Sequence, residues 1–494
     1  MQYCSTRDSA VRVDAAKAIA QGLSRDGGLF CPTEIPKLTS EDFSALLKMS
    51  YQERAAFVIG KFLTDYTEEE LISFANSAYH TDRFSSAAIA PVHPLDDNAH
   101  ILELWHGPTC AFKDMALQIM PRLFTRALKK CGEDKCALIL VATSGDTGKA
   151  ALEGYRDIKG TKIKVFYPSE GVSRVQKLQM QTQEGGNVSV SGIVGNFDDA
   201  QSGVKKIFSD TAVSEKLNEA GVFLSSANSI NWGRLVPQIV YYVSAYCDMV
   251  NDGAIKFGEK IDVCVPTGNF GNIFAGYIAK LMGLPIEKLV CASNVNNVLT
   301  DFLRTGVYDR NRDFHATISP SMDILISSNL ERLLYVTLGS DKTAEYMEKL
   351  SSEGKYQLTP DELSLIQKHF VGYYTSEEET KETIADIYKK KNCLIDTHTA
   401  VAAHAAKSYA NDSKAERKIL VVSTASPYKF ARDVYLSVSG KEPLNELSAL
   451  SELSEFTGVE IPSPLGELAN KKILHNEIID KSEMENATFN FARS

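Results

Sequence analysis

The chain has 494 residues, 44% of them hydrophobic and 23% charged, with a formal net charge of −10. That balance describes an ordinary globular protein with room for more than one core, and the acidic surplus argues against nucleic acid or an anionic membrane as the main partner. No run of about 18 apolar residues is present to span a bilayer and no basic-then-apolar leader opens the chain, so a cytoplasmic location is expected. The nine scattered cysteines read as reduced buried thiols, with no metal-ligand spacing.

In chain order, residues 1–95 are expected to form a mainly helical domain. A helix over 10–23 stops at Ser-Arg-Asp-Gly-Gly, and helical period continues over 39–63 and 67–80. Pro91 and Pro94 break the pattern and mark a boundary. The stretch 102–118, Leu-Glu-Leu-Trp-His-Gly-Pro-Thr-Cys-Ala-Phe-Lys-Asp-Met-Ala-Leu-Gln, sets Lys113 among Ala111, Phe112, Met115 and Ala116. A lysine so placed is partly desolvated, which lowers its pKa and frees the amine for Schiff-base or proton-transfer chemistry. The plain alternative is a surface lysine at a helix start. His106 reads as a residue that orients the loop and not as a base.

Residues 136–142 are wholly apolar, as in a strand buried on both faces. The Thr-Ser-Gly-Asp-Thr-Gly run at 143–148 and a helix over 149–155 follow. Ser144 and Thr147 offer hydroxyls to an anion, although a turn without a ligand fits equally; Asp146 is expected to face backbone amides. Strands at 163–167 and 188–194 alternate with helices at 173–183 and 197–209. The Asn-Ser-Ile-Asn-Trp-Gly-Arg run at 228–234 sets Asn231 and Arg234 before a helix over 235–246. The arginine fork suits phosphate or carboxylate, or an acidic neighbour at the surface.

A strand at 261–265 then leads through Gly268, Asn269, Phe270, Gly271 and Asn272 into a helix over 273–282. This is a glycine-bearing turn that admits an anion at a helix N-terminus, or a strand-to-helix turn without one. It lacks the lysine of a nucleotide P-loop and the third glycine of a dinucleotide fingerprint. His398 and His404, six apart, share no helix face and make no zinc pair. Strands at 289–292 and 419–423 complete the pattern, the second ending in the hydroxyls of Ser423, Thr424 and Ser426. The acidic tail from 442 reads as helix plus loop. Short strands alternating with helices imply an α/β protein with parallel sheets and ligands at their carboxyl ends.

The segments 3–7, 26–29, 106–109, 111–114, 144–148, 228–232, 268–272, 320–323 and 423–425 together resemble threonine synthase, a pyridoxal-phosphate family similar to the tryptophan synthase β-subunit class. The resemblance implies a type II pyridoxal-phosphate fold with two parallel-rich sheet domains and a mainly helical N-terminal domain. It places that N-terminal domain at 1–95, the large domain at 96–135 and 240–494, and the smaller α/β domain at 136–239. It implies conversion of O-phospho-L-homoserine and water to L-threonine and phosphate by a monomer or homodimer, without metal, nucleic acid or membrane. Lys113 would be the catalytic Schiff-base lysine. Gly268, Asn269, Phe270, Gly271 and Asn272 would hold the cofactor phosphate, and Thr424 would face the pyridine nitrogen. Ser144, Thr147, Asn231 and Arg234 would grip the substrate. The family often carries histidine where this chain has Ser426. A related phospholyase that eliminates phosphate without making threonine is the alternative.

Overall fold

The computed structural model describes residues 1–170 and 172–494. The N-terminal region begins with a small antiparallel sheet, in which Gln2–Ser5 pairs with Val13–Asp14 on one side and Phe30–Pro32 on the other. The expectation of a mainly helical region missed this sheet, whose strands are two to four residues long and too short for a period to register. The helices Ser40–Leu46, Tyr51–Phe62 and Glu68–Ala78 each open on a reciprocal cap, Thr39 with Asp42, Ser50 with Glu53 and Thr67 with Glu70. Such caps satisfy amide groups that have no intrahelical acceptor. The cap at Ser50 divides the single helical stretch expected over 39–63.

Two larger sheets follow. One has the order Phe370–Tyr374, Ile286–Ser293, Ile261–Pro266, Ile419–Ser423, Ala99–Glu103 and Val92–Pro94, parallel except for the last strand. The other runs Ile478–Asp480, Val188–Val194, Thr161–Pro168, Cys136–Ala142 and Val222–Ser225, parallel throughout. Helix Trp232–Asn251 is buried along nearly its whole length and joins the common core.

The tail departs from its expected helix-plus-loop form. Ile478–Asp480 pairs with Gly192, Ile193 and Val194, so a piece of chain from within 240–494 completes the sheet built by 136–225. Its Ile479, with Met484 and Ala492, packs against Leu138, Phe166 and Val204.

Four strands aim their carboxyl ends at one place. Ala99–Glu103 runs toward Lys113, Cys136–Ala142 into the loop at 143–148, Ile261–Pro266 into the turn at 268–272, and Ile419–Ser423 into Thr424. The crevice beyond the strand ends of a parallel sheet is where backbone amides and helix N-termini converge on a ligand.

Candidate active site

The loop that carries Lys113 is stitched to the end of strand Ile419–Ser423. Phe112 donates its amide to the Thr424 carbonyl at 2.8 Å, Ser426 donates to the Cys110 carbonyl at 3.1 Å, and Ala111 bridges Ala425. These bonds place Thr424 beside the lysine. His106, between Glu103 Oε2 at 2.8 Å and Ser85 Oγ at 2.9 Å, braces the start of the loop. Lys113 sits at the N-cap of the short helix Asp114–Leu117. Its Nζ lies 3.5 Å from Ser321 Oγ and 3.7 Å from Asp146 Oδ2. Burial lowers the ammonium pKa; the Asp146 carboxylate works against this, and Lys429 and Arg234 add to it.

Asp146 does not face backbone amides as expected. Thr143 Oγ1 accepts the amides of Gly145 and Gly148, both at 3.0 Å, and this releases the Asp146 side chain inward. Its Oδ1 lies 2.8 Å from Lys429 Nζ and accepts from Gln176 Nε2 at 2.8 Å. Burial alone would raise this carboxyl, but Lys429 and Lys113 outweigh it and hold the group far below the usual carboxylate range. Lys429 also donates to the Thr109 carbonyl at 2.9 Å and to Gln179 Oε1 at 3.2 Å. Sequence reasoning assigned no role to Lys429; the available signal was a lysine next to aromatic residues in Pro427-Tyr-Lys-Phe430. Ser144 is exposed and Thr147 half-buried at the open side of the same loop.

The turn at 268–272 is held from behind. The Gly268 carbonyl accepts Ser327 Oγ at 2.7 Å, and the Asn269 carbonyl accepts both the backbone amide and Nδ2 of Asn329 at 3.0 Å. Phe270 adopts φ 61, in the left-handed region, and buries its ring against Phe370. Helix Gly271–Met282 starts there, and its first amides have no intrahelical acceptor. A Cβ on Gly268 would stand 2.6 Å from the Ser321 carbonyl oxygen, so only glycine lets these backbones meet. Asn272 Oδ1 accepts from Tyr241 at 2.5 Å and Tyr242 at 2.6 Å. These bonds turn Nδ2 the other way, where it is buried without a partner.

Arg234 is buried, not paired at the surface. One nitrogen donates to the Ala227 carbonyl at 2.6 Å, Nε is buried without a partner, and desolvation lowers the pKa to about 10. Asn231 is the N-cap of helix Trp232–Asn251. Its Oδ1 accepts the Gly233 amide at 2.8 Å, and its Nδ2 donates to the Ile19 carbonyl at 2.9 Å. Both ends of that amide tie the N-terminal region to the core helix. Lys113 and Lys429 face one buried carboxylate, Asp146, and Arg234 adds its charge near Lys113, a positive excess that suits an anionic ligand.

The description "Threonine synthase N terminus" fits residues 2–79, "Pyridoxal-phosphate dependent enzyme" fits 91–425, and "Threonine synthase, C-terminal" fits 399–460. The threonine synthase of Saccharomyces cerevisiae is 38% identical over 494 residues, covering 92% of this chain and 94% of that one. The chain belongs to the threonine synthase family of pyridoxal-phosphate dependent enzymes. Crystal structures within the family share its shape: the pyridoxal-phosphate-bound threonine synthase of Brucella melitensis gives a TM-score of 0.88 at 36% identity over 100% of both chains. The yeast threonine synthase structure gives 0.88 at 35% identity, over 99% of this chain and 97% of that one. The Threonine synthase-like 1 protein of Homo sapiens is 42% identical over 447 residues, covering 88% of this chain; the match spans 59% of that longer protein.

The residues present fit the family's cofactor. The orphaned Asn272 Nδ2, the free amides at 271 and 272, and the close approach that Gly268 permits make a seat for a phosphate. Lys113 supplies a buried amine beside it.

Proposed function

We propose that this chain converts O-phospho-L-homoserine and water to L-threonine and phosphate. The observation that carries the reading is Arg234, a buried guanidinium near the amine of Lys113 that has no carboxylate partner among the described residues. A phosphorylated amino acid supplies the dianion that such a cation lacks.

Pyridoxal phosphate, when bound, supplies an electron sink for charge that develops at the substrate α- and γ-carbons. Gly268, Asn269, Phe270, Gly271 and Asn272 would hold its phosphate, Phe270 and Gly271 through backbone alone. Thr424 would present a hydroxyl to the ring. Lys113, its pKa lowered by burial, takes a proton from Cα and then one from Cβ of the substrate, returns one at Cγ and, once water has added its hydroxyl at Cβ and given up a proton, returns the last at Cα. Arg234, Ser144 and Thr147 grip the departing phosphate, and water enters at Cβ. Asn231 contributes by anchoring the helix that carries Arg234.

The second reading is a phospholyase that releases phosphate from a related phosphorylated amino acid without making threonine; relatives that carry the name Threonine synthase-like 1, and not threonine synthase, are the reason to test it. Phosphate release measured together with threonine on the purified protein separates the two. Equal amounts of both products support the synthase, and phosphate with a keto acid supports the phospholyase.

A further inference from the structure

Ser321 lies between the three functional groups that define the site. Its Oγ is 3.5 Å from Lys113 Nζ and 3.4 Å from Asp146 Oδ2. Its carbonyl forms the wall against which Gly268 packs. A carboxylate only accepts, so the hydroxyl proton points toward Asp146, and an oxygen lone pair is left facing the amine. Nothing in the synthase chemistry described above uses this residue.

A second chain of bonds fixes Ser321 from behind. Its backbone amide donates to His398 Nε2 at 3.1 Å, and His398 Nδ1 lies 2.8 Å from Asp396 Oδ2. A backbone N–H can only donate. Nε2 is therefore the unprotonated ring nitrogen, and the proton sits on Nδ1 toward Asp396. Asp396 and His398 are both buried. Asp396 is itself held by the amides of His398 at 2.9 Å and Thr399 at 3.1 Å, at the start of helix Thr397–Ser413. Asn294 and Thr317 hold the flanks of the single turn Pro320–Met322 at Ser319 and Asp323, and this histidine holds Ser321 itself.

We propose that Ser321 is a catalytic hydroxyl that seats the amine of Lys113 whenever that amine is not joined to the cofactor. His398, oriented by Asp396, is the positioning residue that keeps the seat in register with the turn at Gly268. The proposal rests on the assignment of Lys113 made under the proposed function, but not on the identity of the product. The seat accepts an N–H from the amine and so keeps the side chain directed at the substrate carbons between proton transfers. The charged groups that face Lys113 besides Ser321 are Asp146, Lys429, Arg234 and Asp114.

The test uses the full chain in cofactor-free and reloaded forms. In the cofactor-free protein, reductive methylation of Lys113 is followed against pH by peptide mass spectrometry. Ser321→Ala removes an acceptor of the ammonium and should lower the Lys113 titration midpoint by about one pH unit, the scale of one hydrogen bond to a charge. In the reloaded protein, phosphate release should show kcat down roughly tenfold with KM little changed. His398→Leu should match Ser321→Ala in both readouts. His398→Gln, whose amide oxygen still accepts the Ser321 N–H, should recover most of the wild-type behaviour. If His398→Leu does not fold, Ser321→Ala and His398→Gln decide alone. An unmoved midpoint in Ser321→Ala would overturn the proposal, as would a His398→Leu effect that Ser321→Ala lacks. A shifted midpoint in a protein that makes no threonine would sink the synthase reading and leave this one standing.

Discussion

Two lysines enter the site, and their surroundings separate them. Lys429 has three acceptors at 2.8 to 3.2 Å and is fully committed. Lys113 has only longer contacts at 3.5 and 3.7 Å and is free to react. Lys429 is thus a structural counter-charge, and Lys429→Met should strand the Asp146 carboxylate. Breaking a buried pair in this way costs about 3–5 kcal/mol, read as a lower urea midpoint; Asp146→Asn added to the same chain should restore part of it. An unchanged midpoint in Lys429→Met would remove the pair from the stability of the site.

Asp114 gives a pH dependence of definite sign. Burial raises its carboxyl to about 7, against the bonds from Thr109. The folded state therefore holds a proton that the unfolded chain releases near its ordinary carboxylate value, about 4. The stabilisation is present below that value and is lost as pH rises to about 7. Urea unfolding across this range should show wild type losing stability relative to Asp114→Asn, with no further change above neutrality; a difference independent of pH would contradict the assignment. None of these partners was visible in the sequence. Lys113 was legible from its four apolar neighbours, but Ser321, His398 and Lys429 stand 208, 285 and 316 positions beyond it in the chain, where no local period connects them.

Among the elements, the turn at 268–272 bears the sharpest constraint. Gly268→Ala would drive a Cβ against the Ser321 carbonyl at 2.6 Å, and that contact is backbone and cannot swing aside. We expect cofactor affinity to fall at least tenfold, about 1.4 kcal/mol, with little loss of thermal stability, as measured by titrating cofactor absorbance into the cofactor-free protein. Wild-type affinity would show that the phosphate is held elsewhere. The strands Cys136–Ala142, Val188–Val194 and Ile419–Ser423 were legible to the residue, the first and last from apolar runs between turn residues and the second from valines alternating with serines. Ala99–Glu103 and Val222–Ser225 were not read as strands, since His100 and Glu103 interrupt the apolar run of the first and the second has only four residues. Ile478–Asp480 was missed because its meaning lies in the partner strand and not in its own three residues.

At the scale of the molecule, the C-terminal segment returns to close the sheet that carries the loop at 143–148. Removing residues 475–494 strips Ile479, Met484 and Ala492 from Leu138, Phe166 and Val204 and leaves Lys164 without Glu477. The lost burial should be worth roughly 4 kcal/mol, seen as a lower thermal midpoint; an unaltered midpoint would mean that the clasp is ornamental.

On the proposed function, both sheets and the core helix serve to bring one amine to the turn at 268–272. The most direct check is to load the protein with pyridoxal phosphate, reduce it with borohydride, digest it and locate the label by mass spectrometry. The label is expected on Lys113 alone, and a label on Lys429 or any other lysine in its place would contradict the site described.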